Sequence, residues 1–195
     1  MTVTIAAVVE GHGEVGALPV LLRRIVAELS PALYVDVPRP YRANRHSLIR
    51  PGVLEDVVRV QGDRLSGPGG VLVLIDADDD CPARLGPDLL ARAQAARPDR
   101  RVAVVLAKRE YEAWFLAAAQ SLSGQRAFPA ALEPPPDPES ISGAKEWLSR
   151  NRPGRPYKET ADQAALTQRF DLKAARDRAP SFDKLWRDVE RLICE

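Results

Sequence analysis

Three apolar runs in this chain each end in carboxylates. Val3 to Val9 leads into Glu10-Gly11, Val71 to Ile75 into Asp76-Ala77-Asp78-Asp79-Asp80, and Val102 to Ala107 into Lys108-Arg109-Glu110-Tyr111-Glu112. Carboxylates gathered at one place repel one another unless a cation stands among them. In Asp76-Ala77-Asp78 the two aspartates point the same way if the strand stays extended. Together with Glu10 they make an all-oxygen, hard-donor set that suits Mg²⁺ or Mn²⁺ rather than zinc. A divalent cation so held can polarise a substrate oxygen and lower the pKa of a bound water. Glu14 and Glu112 are candidates for holding a second ion or for taking the proton of the attacking water. A phosphate backbone needs cations as well, and Arg39, Arg42, Arg45 and Arg50 lie in a stretch without a single acid. Plainer roles compete: aspartates cap solvated turns, and basic loops are commonly just solvated.

Other site chemistries fit less well. Counted from Asp76 as a calcium loop, position six is Cys81 instead of glycine and position twelve is Pro87 instead of glutamate. The chain has no G-x-x-x-x-G-K-[ST] stretch. With two histidines, His12 and His46, zinc hydrolase chemistry is not expected. Cys81 and Cys194 have neither metal nor redox spacing. Gly11-His12-Gly13-Glu14-Val15-Gly16 does match the dinucleotide fingerprint, with Asp36 at a suitable distance for a ribose. Yet Glu10 precedes that loop and Glu14 lies inside it, and two carboxylates oppose a pyrophosphate. The glycines serve a tight turn after Glu10 equally well.

The acids can meet only if the apolar runs are neighbours. Runs of Val, Ile, Leu and Ala that do not alternate with polar residues read as strands buried on both faces, as in parallel sheets. Open α/β sheets bind ligands at the carboxyl ends of their strands. The remaining pattern agrees with this. A helix with Leu18, Leu21, Leu22, Ile25, Val26 and Leu29 follows the first loop, and Leu33 to Val37 reads as a second strand. Pro51-Gly52 opens a helix with Val53, Leu54, Val57, Val58 and Leu65 on its apolar side. Further helices are expected around Asp88 to Ala96 and through Trp114 and Phe115 to Leu122. The expected architecture is α/β, a Rossmann-like, mainly parallel sheet of about four strands flanked by helices.

Residues 1–127 would form this core, residues 128–139, with Pro134-Pro135-Pro136, a linker, and residues 140–195 a helical extension docked on it. In the extension Ala144, Trp147 and Leu148 share one helix. Thr160 and Gln163 form a T-x-x-Q capping box for a second. Ser181 would cap the last, whose apolar stripe is Phe182, Leu185, Trp186, Val189, Leu192 and Ile193. The tryptophans and Phe115 read as core rather than as base-stacking platforms.

At 195 residues, 45% hydrophobic and 28% charged, the composition is that of a soluble globular chain. A net charge of +1 supplies no global field toward nucleic acid or membrane. No charged-then-apolar leader and no apolar stretch near 18 residues is present, and thiols are sparse, so a cytoplasmic location without membrane partners is expected.

Val8-Val9-Glu10-Gly11-His12-Gly13-Glu14-Val15 with Leu18-Pro19-Val20-Leu21-Leu22-Arg23-Arg24-Ile25, then Leu74 to Cys81, Arg109 to Phe115 and Tyr157 to Gln163, together resemble a bacterial and archaeal TOPRIM-like family, a domain of unknown function. The resemblance covers nearly the whole chain. It implies distant similarity to OLD-family nucleases and to the TOPRIM domains of topoisomerases and DnaG-type primases. In those proteins an acid after the first strand and a later D-x-D bind Mg²⁺ and act on phosphodiesters. By that similarity Glu10, Asp76 and Asp78 map to the metal acids, and Lys158 becomes a candidate phosphate contact. An ATPase partner in a defence or DNA-repair setting is a further implication of kinship. The topoisomerase tyrosine domain and the primase template modules have no counterpart here. The expectation is a Mg²⁺-dependent nuclease-like protein with nucleic acid as partner. A non-catalytic interaction module and a nucleotide- or dinucleotide-binding protein are the alternatives, and homo-oligomerisation stays open.

Overall fold

The computed structural model describes residues 2–194. Its frame is a parallel sheet built from β1 (Thr2–Val9), β2 (Tyr34–Asp36), β3 (Tyr41–Arg42), β4 (Gly69–Asp76) and β5 (Arg101–Ala107), with strand order β2-β1-β4-β5 and β3 also on β1. The central strands are apolar without alternation because both faces are covered. On one face Ile5, Ala7, Leu72, Leu74 and Val105 pack under α1 (Glu14–Leu29) and the C-terminal helices. On the other, Ala6, Val8, Val71, Val73 and Val104 pack under α3 (Val53–Asp63) and α4 (Pro82–Ala96).

The chain leaves β1 for β2 on one side and later crosses to β4 on the other. The order of strands therefore reverses between β1 and β4, where a crevice opens beyond the strand ends. Register places Val9 opposite Leu74 and Asp76 opposite Ala107. Glu10 and Asp76 thus leave neighbouring strands at the same edge, at that reversal point.

Among the described residues the sheet has five strands, in keeping with the expected parallel sheet of about four. β2 and β3 both lie along the side of β1 away from β4, at its start and its end. Pro38 and Pro40 stand between them. Neither can donate a ladder hydrogen bond, so one edge strand becomes two short ones. At the opposite border Lys184 Nζ donates to the Val104 carbonyl of β5 (2.8 Å).

The helices differ from the sequence reading in several places. α4 begins at Pro82, in the first turn, where a missing N–H costs nothing. α8 (Leu172–Arg178) is an additional helix, capped by Asp171, whose side chain accepts the Ala174 N–H. α9 (Pro180–Ile193) starts one residue before Ser181, and Ser181 Oγ instead accepts from Trp114 Nε1 (2.8 Å) and bonds Glu139. Helices α6 (Ala144–Arg150), α7 (Glu159–Thr167), α8 and α9 contribute to the same core as the sheet. Trp114, Phe115 and Trp186 are buried in it. No helix among the described residues is long and apolar enough to cross a membrane.

Candidate metal and phosphate site

Glu10 follows β1, Glu14 opens α1, Asp76 ends β4 and Glu112 precedes α5 (Ala113–Ala117). All four line one cavity of about 280 Å³. Three of them are held from behind. Glu14 Oε2 folds back to accept the N–H groups of Glu10 (3.0 Å) and Gly11 (2.9 Å). Asp76 Oδ1 accepts the Tyr111 N–H (2.8 Å). Glu112 Oε1 accepts from Tyr157 Oη (2.7 Å) and Gln163 Nε2 (3.2 Å). Glu10 Oε2 and Glu112 Oε2 are buried with no hydrogen-bond partner among the described residues.

Burial and mutual repulsion push these acids toward their protonated forms. Burial comes first for Glu14, Asp76 and Glu112, and the first two also feel the other acids. Glu112 rises to about 7 in spite of Lys145 and the Tyr157 hydroxyl. Glu10 is raised by burial and by Asp78. Such strain among acids is what a divalent cation relieves.

Opposing it inside the cavity is Lys145. Lys145 Nζ lies 3.1 Å from Glu159, 3.8 Å from Glu110 and 3.9 Å from Glu112. Burial disfavours its charge, but Glu112 and Glu159 outweigh that and hold its pKa up. Glu110 positions it by accepting the Ala144 N–H at the start of α6 (2.7 Å). The lysine of this site is therefore Lys145 and not Lys158. Lys158 is an exposed residue at the head of α7, and its backbone N–H bonds Asp162. Thr160 is exposed, and Gln163 serves Glu112 instead of a capping box.

Asp78 departs from its expected place. Its φ is +49°, so the chain has turned out of the strand, and its carboxylate faces Arg45 Nε (3.6 Å). It borders an adjoining cavity that shares Asp76 and Lys145 with the first. The two aspartates therefore diverge rather than align. Arg45 is no surface phosphate contact. It is 5% exposed, and it donates to the carbonyls of Asp76 (2.9 Å) and Ala77 (3.2 Å) and pairs with Asp80. Buried beneath the aspartate loop, it fixes the loop's shape. Arg39, Arg42 and Arg50 are exposed.

As placed, no three of the described His, Cys, Asp or Glu side chains stand close enough to ligate one ion. The donor chemistry nevertheless fits a hard divalent cation. The donors are all carboxylates, and Glu10 and Glu112, each with a buried oxygen that accepts no hydrogen bond among the described residues, line one cavity.

The glycine loop is not shaped for a pyrophosphate. The N–H groups of Glu10 and Gly11 are taken by Glu14, and that of Gly13 by Glu159 (3.1 Å). A Cβ at Gly13 would stand 2.2 Å from Gln163 Oε1 and 2.9 Å from the Glu159 carbonyl. Its φ is −67°, so it is glycine because α7 presses on it and not because of its backbone angle.

Sequence reasoning missed Lys145, Glu159, Gln163 and Tyr157. Lys145 lies outside every local pattern and is brought in by the packing of α6, whereas Tyr157, Glu159 and Gln163 lie in the Tyr157 to Gln163 stretch that carries the resemblance, where the site role was given to Lys158. A hint existed in the unexplained pairing of Glu110 with Glu112.

Comparisons with known proteins yield one match. No curated protein and no solved structure matches the chain significantly. The model of the family described as "Domain of unknown function (DUF4276)" matches residues 9–190, from the end of β1 to within α9. The match spans every acid of the cavity, and on that evidence the chain belongs to the DUF4276 family.

Proposed function

We propose that this protein carries out divalent-cation-dependent chemistry on phosphodiesters, as a nuclease-like enzyme with Mg²⁺ or Mn²⁺ as cofactor. One observation carries the reading: Glu10, Glu14, Asp76 and Glu112 converge on one cavity, where a buried oxygen of Glu10 has no hydrogen-bond partner among the described residues and that of Glu112 has only the Lys145 ammonium, 3.9 Å away. Unpaired buried acceptors are costly, and a bound cation relieves the cost. The site's position, at the strand ends where the order reverses, supports the reading, as does the resemblance to TOPRIM-like proteins.

When bound, a divalent cation would supply the positive charge that polarises a phosphoryl oxygen and acidifies a water. Glu10, Asp76 and Glu14 are the residues that would hold it. Glu112, with its pKa near 7, takes a proton at neutral pH and acts as the general base. Lys145 faces the same cavity and offers its ammonium to a phosphate oxygen.

A second reading is favoured by Lys145 itself. Its contacts to Glu110, Glu112 and Glu159 supply a built-in counter-charge, as a non-catalytic module working with an ATPase partner would need. Calorimetric titration with Mg²⁺ and Mn²⁺, paired with cleavage assays on plasmid and single-stranded DNA, separates the two. The enzyme reading expects ion binding and cleavage in the wild type and loss of both in Asp76→Asn. Ion binding without cleavage supports the module, and absence of both ends the enzyme reading.

A further inference from the structure

Beside the acid cavity runs a second groove of opposite character. It has a volume of about 790 Å³ and is lined by His12, Arg23, Arg39, Tyr41, Arg42 and Thr160 among others. None of its lining residues is a carboxylate. Arg23 and Arg39 are exposed, and their guanidinium groups make no hydrogen bond or ion pair among the described residues. Arg42 makes one long bond, from Nη1 to the Glu10 carbonyl (3.5 Å). Arg50, Arg84 and Arg150 are likewise exposed or half-exposed without a side-chain partner among the described residues, but here Arg23, Arg39 and Arg42 line one concave surface together. Unpaired guanidinium groups in a concave surface suit an anion, and phosphate above all.

Two more features narrow the ligand. Tyr41 is 46% exposed, although it is a large aromatic side chain, and it lies among the arginines. An exposed ring between phosphate contacts is a platform on which a base stacks. The groove's volume is that of a small-ligand cleft, enough for a nucleotide or two of an extended strand. His12 and Arg42 line both the groove and the acid cavity, so the two adjoin.

We propose that this groove binds single-stranded nucleic acid, with Arg23, Arg39 and Arg42 on the backbone phosphates and Tyr41 under a base, and that it leads the strand to the acid cavity. The inference builds on the phosphodiester reading, since it names the strand on which that cavity would act. Binding to the groove needs no metal, whereas entry of a phosphate among the acids does.

The test is fluorescence anisotropy with a labelled short oligothymidylate in EDTA at low salt, with the matching oligouridylate and a duplex of the same length alongside. Wild type binds either single strand more tightly than the duplex. Arg39→Ala with Arg42→Ala weakens binding about tenfold or more and flattens the salt dependence by about 1.4 in log–log slope, about 0.7 for each lost phosphate contact. Tyr41→Ala weakens it about tenfold without changing that slope, and Tyr41→Phe restores it. Equal binding by wild type and these variants, or a preference for duplex, overturns the proposal. Cleavage with Mg²⁺ in a protein whose groove variants bind normally sinks the groove and spares the acid site. Groove-dependent binding in a protein that neither binds Mg²⁺ nor cleaves does the reverse.

Discussion

Gly13 donates its backbone N–H to Glu159 Oε1, a contact of 3.1 Å between residues 146 positions apart in the chain. It joins the loop after the first strand to the head of α7, and it closes one wall of the acid cavity. Gly13→Ala would drive a methyl group into Gln163 and Glu159, at a position where the backbone itself would accept alanine. The expected cost is about 1–3 kcal/mol in urea unfolding, with α7 displaced. An unchanged unfolding midpoint would show that α7 does not press on this loop.

Lys145→Met removes the internal counter-charge. At pH 8 it should cost about 1–2 kcal/mol, a value kept low because Lys145 is partly solvated. At pH 5 the loss should shrink, since the carboxylates then carry protons. If the site takes a cation, Mn²⁺ restores much of the lost melting temperature at pH 8. Thermal melts at both pH values, with and without Mn²⁺, provide the check.

The pH profile of stability follows from the raised pKa values of Glu10, Glu14, Asp76 and Glu112. An acid whose pKa is higher folded than unfolded binds more protons when folded, so stability falls as pH rises. For Glu112 the loss begins above its ordinary 4.5 and is complete above about 7. Asp162 acts in the opposite sense. Burial would raise its pKa, but the guanidinium groups of Arg152 and Arg126 outweigh that and hold it low, so its contribution is lost on acidification below its ordinary 3.8. Metal-free protein should therefore melt at a higher temperature at pH 5 than at pH 8. Mg²⁺ should raise the melting temperature more at pH 8, with about 2–4 °C for each kcal/mol. A flat profile would contradict the buried acid cluster.

Arg45→Ala should destabilise by about 2 kcal/mol, because two backbone carbonyls and Asp80 lose their donor. Arg45→Lys should recover little of this, since one ammonium cannot reproduce a fork that reaches three acceptors. Hydrogen exchange of the 77–80 segment, compared between wild type and both variants, reports the change directly.

The strands that end in acids were legible because a doubly buried strand has to be apolar along its length, as Val71 to Ile75 is. The meeting of Glu10 and Asp76 follows from parallel pairing and was readable for the same reason, whereas Glu14 at a helix start and Glu112 in a loop were candidates with plainer readings. Asp78 was misplaced because nothing in Asp-Ala-Asp announces a φ of +49°. Arg45 looked like its basic neighbours, and only its burial beneath the aspartate loop sets it apart. Lys145 was invisible, since its role depends on how α6 docks across more than thirty residues of intervening chain. Glycines 11 and 13 carried a nucleotide-like spacing for a different reason, the close approach of a distant helix.

The interrupted border strand has a consequence for the protein in a crowded solution. A continuous open border would offer a second copy a row of unsatisfied amides to pair with. Here the two prolines leave a stretch that cannot donate, and at the far border Lys184 occupies a carbonyl of β5. Recruitment of strands from neighbouring copies is discouraged at both sides, which favours a chain that remains dispersed at high concentration instead of growing into fibres.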